Sequence, residues 1–550
     1  MDAQRLILSI IFSLSSLMLW QAWQKHEQPS TETATVTAPV KGNPSTVGAG
    51  APVPGTPQWN SANTPAAAPA SAFPVGPQAI VSTDLFDATI NAAGGDIRNL
   101  TLKQYGDTTR PGHHLHLFEQ QPDHLFVAQS GLVGPGLPTH KSMFTLQPGN
   151  HELQPGQDTL SLVLNWDDAQ SGMQVQKTYV FHRGSYRIDV LWNIVNRSNT
   201  NVSVDAYYQF VRDGKPPVGE SRVVHTFTGP AIYTQASKFV KLDFHKLDKG
   251  EQEYPKFANN GWLAMVQHHF VSVWLPPNGG NREFFARPLG DGLYSAGVIL
   301  PEGRVAPGGS LRLDVPLYAG PQIQKVLTAL APGLDYVVDY GWLTPIAVPI
   351  FWVLQHIHAW VGNWGWAIVI LTIGIKLLFF PLSAKSYRSM AQMRGLSPKL
   401  QRLKEQYGDD REKLHLAMME LYKTEKVNPL GGCLPTVVQI PVFIALYWTL
   451  VGSVEMRQAP FIGWIHDLSA PDPFYVLPII MGLTMLLQTR LNPAPPDPMQ
   501  AKMMMIMPVA FTAFFLFFPS GLVLYWVVNN TMSILQQWVI TRKFDASRAR

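Results

Sequence analysis

The sequence predicts a polytopic α-helical membrane protein, with six spans of which five form one bundle, that also carries a large soluble all-β domain. Three observations carry that expectation. Apolar runs crowd residues 363 to 540. Strand patterns rich in β-branched and aromatic residues fill residues 80 to 330. Lys and Arg are divided unevenly among the loops between the apolar runs. The 550 residues are 46% hydrophobic with a net charge of +4, an average over two very different halves. So small a charge does not point to nucleic acid, and no sequence-specific nucleic-acid partner is expected. Cys433 is the sole cysteine, so no internal disulfide forms and the β domain must stand on its hydrophobic core.

Residues 1–27 contain the first apolar segment, Leu6 to Trp23, flanked by Arg5 and Lys25. It ends in Trp20-Gln21-Ala22-Trp23, where signal cleavage would want small residues, so it reads as an uncleaved anchor. Residues 28–79 hold ten prolines among Ala, Thr, Ser and Gly, a composition that cannot bury enough apolar surface to fold; this is a semi-extended tether. Within 80–330, Gln174 to Phe181 and Tyr186 to Val195 read as a hairpin about His182-Arg183-Gly184-Ser185. Val202 to Phe210, Trp262 to Val266 and Phe270 to Leu275 are further strands, and many short strands imply an antiparallel β-sandwich. His114 and His116 share a strand face but lack a third ligand, so no metal site is assigned.

Residues 331–362 are aromatic and Pro-interrupted, as suits an amphipathic interfacial segment. Residues 363–541 form the bundle, with spans near 363–382, 433–452, 474–490, 503–518 and 521–540. Ten Lys or Arg in 385–430, against Arg457 alone in 453–473, make the first loop cytoplasmic, along with the short basic tail 542–550. An odd number of bundle spans then puts the β domain outside, and the anchor puts the N-terminus inside. The loop itself, 384–430, reads as a helical hairpin: Leu396, Leu400 and Leu403 recur on one face, Leu414, Met418 and Leu421 on another, with Gly408-Asp409-Asp410 between. Its stripes serve either a self-contained coiled-coil arm or a docking arm for a partner or incoming chain.

The residue that asks for an explanation is Lys376, a single cation inside the first bundle span, with Thr372 one turn earlier on the same face. Either its stem snorkels toward the interface or it faces a wet cavity inside the bundle. The last span has a polar face of Tyr525, Asn529, Ser533 and Gln536 beside Asn530 and Gln537. Such residues serve as interhelical glue or, with Gln439, Thr372 and Lys376, line a cavity open to the cytoplasm. No bundle span carries Asp or Glu, which argues against a cation-coupled transporter, and no catalytic motif, cofactor site or metal site is found. The Met and Phe clusters at Met503 to Met507 and Phe511 to Phe518 suit either ordinary packing or a surface that accepts many apolar partners.

The run Lys426-Val427-Asn428-Pro429-Leu430-Gly431-Gly432-Cys433-Leu434-Pro435, with Gln439-Ile440-Pro441-Val442-Phe443, Trp464-Ile465-His466-Asp467-Leu468-Ser469 and Phe518-Pro519-Ser520-Gly521-Leu522, closely resembles the YidC/Oxa/Alb membrane protein insertases. The anchor, tether and β domain resemble the Gram-negative form, whose periplasmic domain is a β-supersandwich. The resemblance implies a non-enzymatic insertase and chaperone of the inner membrane, acting alone or with the Sec translocon on nascent membrane proteins in the lipid bilayer, with the ribosome as a candidate partner. It puts Lys376 at the basic position of a hydrophilic groove where Arg is expected, and Trp526 where a second Tyr is expected. The residues alone leave a small-molecule transporter or channel, and a membrane-anchored periplasmic scaffold, as alternatives.

Overall fold

The computed structural model describes residues 74–548, apart from positions 111, 122, 218–225, 339, 409, 426, 428–433 and 493–497. The expected anchor at 1–27 and nearly all of the tether at 28–79 lie outside the described residues.

Residues Gln78 to Pro321 build two nine-stranded sheets packed face to face. The first runs, edge to edge, Gln78–Ser82, Phe86–Asn91, Asp96–Gly106, His114–Gln120, Leu125–Val133, Val202–Asp213, Leu293–Val305, Arg282–Gly290 and Phe257–Ala258. The second runs Lys238–Lys241, Gly229–Thr234, Trp262–Val266, Phe270–Trp274, Ser310–Pro321, Arg187–Asn196, Met173–His182, Thr159–Asp168 and Thr145–Leu146. Pairing is antiparallel, as in the predicted hairpin, where Phe181 faces Ile188 across the turn. Strict alternation drives the burial: Ile188, Val190, Trp192 and Ile194 point into the core while Arg187, Asp189 and Leu191 between them are only partly covered. The central strand Val202–Asp213 is buried on both faces from Ala206 onward, so alternation fails there.

A short helix, α1 (Phe244–Lys249), interrupts the strands; the Asp243 side chain accepts from the Lys246 amide at its start, and Gly250 closes it at φ 68°. Strand patterning alone did not anticipate it. After the sandwich come α2 (Gln324–Leu330) and α3 (Thr344–Val361), the latter burying Ala347, Phe351 and Leu354 while Trp352 and Trp360 are exposed. Tyr340, Leu343, Ala347 and Ala445 join the same apolar cluster as the sandwich interior, so the core of the β domain continues into the helical region.

The helical region continues with α4 (Trp364–Leu378), α5 (Phe380–Tyr407), α6 (Arg411–Thr424), α7 (Leu434–Gly452), α8 (Val476–Leu491), α9 (Pro498–Phe515) and α10 (Ser520–Arg548). The first helix of the expected arm starts before residue 384. Helix α5 starts at Phe380, inside the expected first span, because Pro381 fits the first turn of a new helix, and α4 and α5 meet at 65°. Gly408 ends α5, and Asp410 caps α6 by accepting from the Lys413 amide. Among the described residues no single helix is long and apolar enough to cross a membrane; the bent pair α4 and α5 passes that test together, and Val437–Gly452, Val476–Leu491 and Lys502–Phe515 are shorter apolar helices.

Candidate functional site

Asn363 caps α4 by accepting from the Trp366 amide, and the helix then carries Lys376 into the bundle two residues before its end. Lys376 is 5% exposed. Its amine does not reach for an interface: Nζ donates to Ser533 Oγ on α10 at 2.7 Å and to Gln439 Oε1 on α7 at 3.2 Å. Gln439 Nε2 donates onward to Asn529 Oδ1, and Ser533 Oγ donates to the Asn529 carbonyl at 2.8 Å. Four side chains from three helices therefore form one network. No carboxylate pairs with the cation among the described residues, and the third N–H of its ammonium has no acceptor among them. From the other side, Gln536 Nε2 donates to the Lys376 carbonyl at 3.2 Å.

The remaining residues singled out by sequence fall differently. Thr372 is buried, but its hydroxyl donates to the Ile368 carbonyl of its own helix at 2.7 Å, so it bounds the network without joining it. Tyr525 is buried and stacks on Phe443 at 6.0 Å; Trp526 meets Phe443 edge-on at 5.0 Å and Phe515 at 5.8 Å. These rings border the polar network, and the Tyr525 hydroxyl joins it through a hydrogen bond with Gln439. In the arm, Leu396 is buried, and Leu400, Leu403, Leu414, Met418 and Leu421 are half-buried on the paired helices α5 and α6. A salt bridge from Lys399 to Glu425 ties the two helices at the far end of the second.

The loop after α7 ties together the helix ends that it joins. Asp472, 1% exposed, accepts from Trp464 Nε1 at 3.0 Å and from the amides of Phe474 at 3.0 Å and Leu477 at 2.7 Å, which starts α8. The same loop holds the turn between α9 and α10: the Ser520 amide donates to the Ala470 carbonyl at 2.8 Å and the Gly521 amide to the Leu468 carbonyl at 2.9 Å. Sequence reasoning did not single out Asp472. Its Asp-x-Phe spacing before an apolar run was the available signal of a helix start.

Sequence reasoning also missed the contact between sandwich and bundle. The rings of His268 and His269 stack at 3.8 Å, and Nε2 of each lies 3.0 Å from the Val451 carbonyl at the end of α7. Arg457 donates to the Gly106 carbonyl at 2.9 Å and lies over the Phe270 ring at 5.5 Å, while Gln458 Oε1 accepts from the Gly106 amide at 3.0 Å. Burial pushes His268 down to about 4 and His269 well below the ordinary histidine value, so both rings are neutral at neutral pH. Burial pushes Glu455, on the same loop, up to about 7. Arg457, the one cation in its loop, was the visible hint.

The model of the 60Kd inner membrane protein family matches residues 356–547, and that of the YidC periplasmic domain matches residues 78–353. The chain is 57% identical over 548 residues to the membrane protein insertase YidC of Thiobacillus denitrificans, covering 100% of this chain and 98% of that protein. It is 55% identical over 553 residues to the insertase of the same name from Aromatoleum aromaticum, covering 100% and 99%. A solved structure described as an active YidC insertase with its first transmembrane domain resolved covers 85% of this chain and 95% of that one, at 20% identity and a TM-score of 0.40.

Proposed function

Since the chain belongs to the YidC family of membrane protein insertases, we propose that it carries out insertion through the polar network around Lys376. It is an inner-membrane protein with a periplasmic β-sandwich domain, it acts on nascent membrane proteins in the lipid bilayer, and it is not an enzyme. The single observation that carries the mechanism is the solitary buried amine. Lys376 is held by two neutral side chains with one N–H left over, so an incoming acidic or polar segment offers it a better partner than it has. Lys376, Gln439, Asn529 and Ser533 form the groove proper, and Thr372, Tyr525 and Trp526 form its walls.

In this reading the chain spans the membrane six times, with both termini cytoplasmic. Three of the bundle spans are short: 16 residues of α8 rise only about 24 Å against about 30 Å of hydrocarbon. A locally thinned bilayer follows, which shortens the distance a polar tail must travel. The tied outer loop keeps the groove closed toward the periplasm, so the tail enters from the cytoplasm, displaces the bonds to Lys376, and passes outward. Its apolar segment moves into lipid along the exposed Met503, Met505, Val509 and Phe517, driven by burial at about 25 cal/mol per Å². No nucleotide enters this scheme. The α5 and α6 arm is the docking arm for the incoming chain or a ribosome, and chaperone action and work beside the Sec translocon complete the role.

The test is insertion of a small single-span protein with an acidic exported tail into liposomes containing the purified chain. Lys376→Ala should lower the initial rate about 10- to 100-fold, the range expected for one charge-assisted bond, and Lys376→Arg should stay within about threefold of wild type. Equal rates for all three would remove the electrostatic role of Lys376.

A further inference from the structure

Beyond charge, we propose that the groove recognises the peptide backbone of an extended segment through unmet hydrogen-bonding groups spaced along α10, an inference that rests on the insertase reading above. Among the described residues four such groups lie along α10; Gln537 Oε1 is one position off the line, and the other three share a face. The Trp526 indole N–H and the Gln536 Oε1 are both sealed from solvent and have no hydrogen-bond partner among the described residues. The third is the unused N–H of Lys376, whose amine meets α10 at Ser533.

Their placement is regular. Positions 526, 529, 533 and 536 follow one another at steps of three and four, so they share a face of α10. From Trp526 to Gln536 the helix rises about 15 Å, the length of four to five residues of extended chain. Along that line the first two groups are donors and the last is an acceptor. A carboxylate satisfies donors only, and an apolar side chain satisfies neither kind. A peptide group carries both a carbonyl and an N–H, so a short extended stretch meets all three.

Gln536 is also held in place. It is 6% exposed, and its Nε2 donates to the Lys376 carbonyl at 3.2 Å, so its Oε1 cannot turn away without breaking that bond. A backbone reader is what a general insertase needs, because amides are the part of a substrate that does not vary and the part whose exposure to hydrocarbon is most costly. The groove then engages uncharged tails as well as acidic ones.

The experiment uses the full chain in liposomes and a synthetic single-span substrate with a short uncharged exported tail, made with ordinary amides or with four consecutive tail amides N-methylated. Methylation removes the N–H that Gln536 would accept. With the wild-type protein, and after subtraction of the rate in protein-free liposomes, the methylated substrate should insert about tenfold more slowly. Gln536→Leu should slow the unmethylated substrate by a similar factor and the methylated one no further. Equal rates for the two substrates with wild-type protein, a comparison that needs no variant to fold, would show water serving these groups and overturn the proposal. So would a methylation penalty that persists undiminished in Gln536→Leu. If the acidic-tailed substrate still depends on Lys376 while methylation has no effect, only the backbone proposal falls; if wild type inserts neither tail above protein-free liposomes, the insertion mechanism itself falls.

Discussion

Each half of the molecule buries a lysine, and the two are treated in opposite ways. Lys177, in the sandwich, is fully buried; its amine donates to the carbonyls of Gly95 at 2.8 Å, Ser130 at 3.3 Å and Gly94 at 3.4 Å, and lies over the Trp192 ring at 4.8 Å. Asp96 stands nearby, and burial pushes Lys177 down to about 7 and Asp96 up to about 7. Three backbone acceptors match three donors, and backbone carbonyls cannot rotate away. Among the described residues Lys376 has two acceptors, both on side chains, both neutral. A saturated buried charge fixes an architecture, whereas an unsaturated one is open to exchange.

The largest test of that contrast is a matched pair of substitutions. Lys177→Met strands Asp96 and takes a donor from three carbonyls, and should cost the β domain about 3 kcal/mol or more, read as a marked fall in its thermal midpoint. Lys376→Met strands no carboxylate and should change stability by no more than about 1 kcal/mol while impairing insertion. Comparable losses of stability in both would break the contrast. Next in size, Asp472→Ala leaves three N–H groups without their acceptor at the outer end of the bundle, at a cost of about 2 kcal/mol. Labelling from outside of a cysteine placed at Asn529 should become faster, and unchanged labelling would mean that the loop does not hold the groove shut.

The smallest effect is set by pH at the joint between the two halves. His268 and His269 are depressed, so they contribute stability above about pH 6.5 that is lost as pH falls toward 4. Glu455 is raised, so its contribution is present below its ordinary value of 4.5 and lost as pH rises through about 7. The slopes oppose each other on acidification. Glu455→Gln should therefore lose more thermal stability between pH 7 and 5 than wild type does, and a parallel profile would exclude Glu455 from the joint.

How much of this was legible depends on how local the determining interactions are. Alternating strands such as Arg187–Asn196 show their buried face directly in sequence, and Gly408 with Asp410 marks the tip of the arm. The polar face of α10 follows from helical spacing alone. What could not be read was pairing across distance: that Lys376 selects Ser533 and Gln439 while Thr372 turns back to its own helix depends on how three helices cross. The bend at Phe379 was hidden because hydropathy runs through it, and only Pro381 marks the new helix. The joint of His268 and His269 with Val451 joins residues about 180 positions apart and leaves no periodic trace.

The bend has a mechanical consequence. Helix α5 begins four residues after Lys376 and extends for 28 residues, about 42 Å, so the arm is a lever with its fulcrum beside the amine. A tilt of about 5° moves the tip about 4 Å but shifts Lys376, about 5 Å from the pivot, by only about 0.4 Å. Large strokes at the tip are geared down to displacements on the scale of a hydrogen bond's tolerance, enough to loosen the hold of Ser533 and Gln439 without unpacking the helices around them.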